Sequence, residues 1–113
     1  MNKKEKVLKE TRKNPLVDAV IRQMGGSKVF LESYKDVLTH GAENGYSGFT
    51  WTDDNVRFIK KNLLDIFDAL QDLKAEGVEI GDFNSLDKYA WFALEWACQR
   101  YEDALMSLED EQR

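Results

Sequence analysis

The sequence predicts a mainly α-helical, compact single domain of four or five helices, with at most one short two-stranded β patch. Three observations lead there. Apolar residues recur at three- and four-residue steps over long stretches, most clearly Val56, Ile59, Leu63, Ile66, Phe67, Leu70 and Leu73. Helix stops and starts punctuate the chain at Asn14-Pro15, Gly25-Gly26, Gly41, Thr52-Asp53-Asp54 and Gly77. The 113 residues, 42% hydrophobic and 33% charged, suffice for one modest core under a well-solvated surface.

Taken in order, residues 2–13 are rich in Lys, Glu and Leu but offer only Val7 and Leu8 to a core. They read as a frayed helix or disordered basic arm ahead of a domain over residues 14–113. Asn14 suits an N-cap and Pro15 a first helical position, and Leu16, Val17, Val20, Ile21 and Met24 keep helical spacing up to Gly25-Gly26. Ser27 caps a second helix whose face is Phe30 or Leu31, Tyr34, Val37 and Leu38, with Gly41 as its left-handed stop. The break gives a helix–turn–helix shape, but Lys28, Glu32, Lys35 and Asp36 make a charge-balanced outer face. A DNA-reading helix presents net positive charge.

His40–Lys61 is the hinge of the chain. Gly41, Gly45 and Gly48 fall within eight residues, and Asn44-Gly45 signals a chain reversal. Phe49-Thr50-Trp51-Thr52 alternates as a short strand does and can pair with Val78-Glu79-Ile80. Phosphate binding by this glycine-rich loop is disfavoured by Glu43, Asp53 and Asp54 around it. Thr52 caps one long helix over Asp53–Glu76, stopped by Gly77. Asp65, Asp68 and Asp72 on that helix read as a solvated face, since oxygen-ligand metal sites usually need a loop to wrap the ion. Gly81-Asp82 turns the chain, Phe83 plugs the core, and Asn84 or Ser85 caps a last helix over Leu86–Leu108. Its stripe of Ala90, Ala93, Leu94, Ala97 and Tyr101 is widened by Tyr89 and Trp96 on one side and by Trp91 and Cys98 on the other. That width predicts a central helix touched on two sides, or aromatic residues facing a partner.

The net charge of −5 divides into +4 over residues 1–13 and −9 over the remainder. A basic arm on an acidic body can grip nucleic acid or lie against its own acidic tail, but this arm has one arginine and no aromatic residue for base stacking. One cysteine permits no internal disulfide and fits a reducing cytoplasm. No secretory signal or membrane-length apolar run is present, so the expected location is the cytoplasm. The single histidine, His40, could pair with Cys98, Glu43 or Asp53, but nothing in the spacing brings them together. No phosphate-loop, dinucleotide or zinc signature occurs, and no metal, cofactor or small-molecule substrate is expected.

The run GAENGYSGFTWTDDNVRFIKKN, followed by YAWFALEWACQRYED, resembles an uncharacterised family of small phage and prophage proteins. There a Gly-Ala-x-x-Gly-aromatic-x-Gly-Phe segment, here Gly41–Phe49, precedes a helix with an x-x-Phe step, here Phe58, and an aromatic, alanine-rich helix closes the domain. Where such proteins carry a tyrosine pair after the Gly-Phe, this chain has Thr50-Trp51. The resemblance implies a mobile-element origin and a host-interaction or anti-defence role in the bacterial cytoplasm. It carries no functional residues over.

The expected function is therefore non-enzymatic binding of a host protein, or of a second copy of the chain. Tyr46, Phe49, Trp51, Trp91 and Trp96 are the expected contacts, since aromatic anchors dominate interface energetics. The acidic body suits a basic partner. The alternatives are a nucleic-acid-associated protein using the basic arm and a small hydrolase-like enzyme using His40 and Cys98.

Overall fold

Caps written into the sequence set the first helices. In the computed structural model, which describes residues 2–46, 52–80 and 87–111, Asn2 caps helix α1 (Lys3–Thr11), its side chain accepting from the Glu5 N–H. Asn14 caps α2 (Pro15–Met24), accepting from the Leu16 and Val17 N–H groups. Gly25 and Gly26, both at positive φ, then stop α2, their N–H groups donating to Arg22 and Ile21 carbonyls. Helix α3 (Ser27–His40) starts without a side-chain cap, and the Ser27 hydroxyl accepts from Arg12 instead of serving as the expected cap. A four-residue turn of helix, α4 (Ala42–Gly45), occupies the hinge. Thr52 caps α5 (Asp53–Lys61), α6 covers Leu63–Ala75 and α7 covers Asp87–Glu111. The mainly α class holds. The described residues contain seven helices, where four or five were expected.

Three differences account for that count. Residues 3–11 are not a frayed arm: Val7 and Leu8 are buried, and α1 packs on α3 and α7. Arg12 ties three helices together, its Nε donating to Asp18 at 2.8 Å and its Nη1 to the Ser27 hydroxyl at 2.9 Å. Lys3 pairs with Glu109 at 3.6 Å, so part of the basic segment lies against the acidic end of α7. Next, the expected Asp53–Glu76 helix is broken at Asn62. The Phe58 carbonyl accepts both the Asn62 backbone N–H at 3.1 Å and the Asn62 side-chain amide at 2.9 Å, and the Asn62 backbone leaves helical geometry at φ −110°, ψ 16°. The apolar stripe is redirected as a result: Ile59, Ile66, Leu70 and Leu73 are buried, whereas Phe67 is 42% exposed and neighbouring Leu64 79%. The third addition is α4.

Val78-Glu79-Ile80 forms no strand. The Val78 N–H donates to the Leu73 carbonyl at 3.0 Å, so it closes α6 rather than joining a ladder, and Val78 and Ile80 pack half-buried on the core. The strand expected at Phe49–Trp51, the turn at Gly81-Asp82, the Phe83 plug and the Asn84 or Ser85 cap lie outside the described residues.

Helix α7 is the axis of the core and touches all six other helices. Ala90, Ala93 and Ala97 are buried and let neighbours approach closely, while Tyr101 meets Phe30 and Tyr34 edge-on at 5.5 and 4.8 Å. One buried polar residue, Asn55, accepts from Gln23 Nε2 at 2.8 Å and ties α5 to α2. The hinge is pressed on α3 so tightly that a Cβ on Gly45 would lie 2.6 Å from the backbone of Asp36 and Val37. Gly45 is thus required by close approach of two backbones, not by the tight turn expected from Asn44-Gly45.

Two outcomes test this packing. Gly45→Ala must push α4 off α3 and should cost about 1–3 kcal/mol in urea denaturation; an unchanged midpoint would contradict the contact. Burial pushes the Tyr101 phenol up to about 12 and raises both the Tyr34 phenol and the Cys98 thiol. Each group is held neutral in the folded protein, while the unfolded chain releases these protons at roughly pH 8.5–10. Stability is therefore fully present below about pH 8.5 and falls as pH rises toward 12. Urea midpoints should drop between pH 8 and pH 11, and Tyr101→Phe should flatten that fall; a level profile in the parent protein would refute it.

Candidate functional site at the hinge cleft

The hinge and the first half of α7 enclose a cleft of about 220 Å³. Gly41, at φ 85°, ends α3 and turns the chain into α4, and the Ala42 N–H at the start of α4 donates to Glu95 Oε1 of α7 at 3.0 Å. Helix α4 has no side-chain cap of its own, so Glu95 caps it from across the core. His40, Glu43 and Asn44 form one wall, Lys88, Trp91, Phe92 and Glu95 the other, and Ile80 closes an end. The cleft is smaller than the 300–1,000 Å³ usual for small-molecule pockets and has the size of a seat for one side chain. Its chemistry is an indole and an aromatic neighbour beside two carboxylates, with one ammonium and one imidazole in the lining.

The five expected contact residues separate. Trp91 is half-buried and lines the cleft. Tyr46 is an internal strut: its hydroxyl donates to the Met24 carbonyl at 3.2 Å, joining the hinge to the end of α2, and burial raises its phenol pKa. Trp96 belongs to the core, 6% exposed, with Nε1 donating to Asp72 Oδ2 at 3.3 Å and the Arg100 guanidinium 5.9 Å from its ring centre. Burial between α6 and α7 therefore removes it from the contact surface. Phe49 and Trp51 lie outside the described residues. Glu95 is the residue that sequence reasoning passed over, although its position four after Trp91 puts both on one helix face.

His40 and Cys98 are not brought together. His40 is exposed at the end of α3, whereas Cys98 is 0% exposed in the core and does not line the cleft that holds His40. Burial, with the nearby Glu95 carboxylate, pushes the Cys98 thiol well above its ordinary value. A protonated thiol without solvent access is a poor nucleophile. Among the described residues no three His, Cys, Asp or Glu side chains converge as metal ligands, and Asp65, Asp68 and Asp72 lie exposed along α6. No helix among the described residues is long and apolar enough to cross a membrane.

The Cys98 environment predicts that a thiol reagent leaves the folded protein unlabelled at pH 8 and modifies it fully in denaturant; rapid labelling of the native protein would reopen the dyad.

Comparison of the chain with protein-family models, with curated proteins and with solved structures gave no match.

Proposed function

We propose that the protein is a non-enzymatic binding protein that occupies the surface of a host protein, as a small phage-type host-interaction factor does. Its hinge cleft receives a basic side chain of that partner. The observation that carries this reading is the placement of Trp91, partly open, in a side-chain-sized cleft with the carboxylates of Glu43 and Glu95. An arginine or lysine entering there meets the Trp91 ring and two carboxylates against the one ammonium of Lys88. Cation–π contact alone contributes about 0.5–1 kcal/mol when exposed and about 2 kcal/mol once water is excluded.

The acidic body adds to this. Residues 14–113 carry −9, so a basic partner approaches down a favourable potential before any contact forms. The cleft also needs little reorganisation, because Glu95 and Gly45 already hold the hinge against α7 and α3. The hydrolase-like alternative finds no support in a buried, protonated Cys98. A nucleic-acid role for the basic segment is weakened because Arg12 is already held by Asp18 and Ser27.

The test is capture from bacterial lysate by the immobilised protein. Trp91→Ala should lose the specific partner by about tenfold or more, as for an aromatic anchor at an interface centre, while remaining folded. Trp96→Ala should instead act through stability, lowering the unfolding free energy by about 3–5 kcal/mol. Equal capture by the parent protein and a folded Trp91→Ala variant would overturn the assignment.

A further inference from the structure

A second surface, independent of the hinge cleft, lies between α1 and α3. It is a groove of about 780 Å³ with Lys4, Lys9 and Arg12 on the α1 wall and Lys28 on the α3 wall. In a chain of net charge −5 the groove lining carries four cations against two carboxylates, Glu5 and Glu32, and Lys4, Lys9 and Lys28 form no ion pair with any described residue. Lys3, Lys13 and Arg22, by contrast, each find a carboxylate. The start of α3 adds to the positive potential, since it has no side-chain cap and no acidic residue in its first turn. Between the charged walls the groove is apolar: Leu8 lies at its base and half-buried Leu31 along it.

We propose that this groove docks an acidic amphipathic helix of a partner protein, with an apolar ridge on Leu31 and carboxylates reaching Lys4, Lys9 and Lys28. Lys4 and Arg12 are separated by about 12 Å along α1, at 1.5 Å per residue. Two turns of a docked helix cover that length, so carboxylates at i and i+4 or i+7 fall beside the lysines. The groove suits a polypeptide better than a nucleic acid. No aromatic side chain is present for base stacking, and the Arg12 fork is engaged within the fold, while Glu5 and Glu32 require neutral or basic residues opposite them on the docked helix.

The experiment uses the whole protein and a labelled helical peptide carrying glutamates on one face and leucines on the adjoining one. Its scrambled isomer and a short DNA duplex serve as further probes, all read by fluorescence anisotropy at low salt. The amphipathic peptide should bind in preference to its scramble, and Lys9→Glu with Lys28→Glu should weaken it about tenfold or more. Both lysines are exposed and unpaired, so the variant should keep the parent unfolding midpoint. A lysine-for-glutamate version of the peptide should bind the double variant better than the parent. The proposal is overturned if the duplex binds and the peptide does not, if scramble and peptide bind alike, or if the charge swap restores nothing.

Discussion

Every other element of this structure depends on the burial of α7. A surface helix hides one stripe and solvates the remainder, but here six helices converge on one, and Leu94, Ala97, Cys98 and Tyr101 retain almost no accessible surface. Small side chains make the convergence feasible. Ala90, Ala93 and Ala97 reduce the girth of α7 where its neighbours cross, and the larger rings of Phe30, Tyr34 and Tyr101 fill the space nearer its C-terminal end. Two polar atoms, the Tyr34 hydroxyl and Arg100 Nε, are buried without a hydrogen-bond partner among the described residues.

The hinge is fixed to this axis by contacts that do not resemble one another. Glu95 holds the first N–H of α4 electrostatically, Gly45 holds its last turn by absence of a side chain, and the Tyr46 hydroxyl reaches back to the end of α2. Because these restraints reach three different helices, the cleft wall does not move independently of the core. A shallow cleft with rigid walls loses little entropy when filled, which is how a few contacts can yield a specific interaction.

Local chemistry was legible in the chain, and long-range chemistry was not. Asn14-Pro15, Gly25-Gly26 and Gly77 mark helix ends with their own side chains or lack of them, and the structure places ends there. Asn62 gives no such notice: it interrupts an apolar period without Gly or Pro, at a backbone of φ −110°, ψ 16° whose Phe58 carbonyl accepts from both its N–H and its side chain. The segment before Asn14 reads as a frayed arm from its polarity, whereas it is a capped helix whose Val7 and Leu8 are buried where α1 packs on α3 and α7. Aromatic residues were the hardest to place. Tyr46, Trp91 and Trp96 share one kind of amphipathic side chain, and only the carbonyl of Met24 and the carboxylate of Asp72 distinguish strut and core from cleft lining. The Trp91–Glu95 pairing, by contrast, was available from spacing alone.

The position of the organising helix along the chain has a biosynthetic consequence. Helices α1–α6 leave the ribosome before α7, so although α3 can pack on α1, α2 and α4, the surface shared by all six is missing while synthesis proceeds. Contacts such as the one between Lys3 and Glu109 link residues at opposite ends of the described chain, and loops of that length close late. The nascent polypeptide therefore presents Leu16, Val17, Val20 and Ile21 to chaperones or neighbouring chains until α7 arrives.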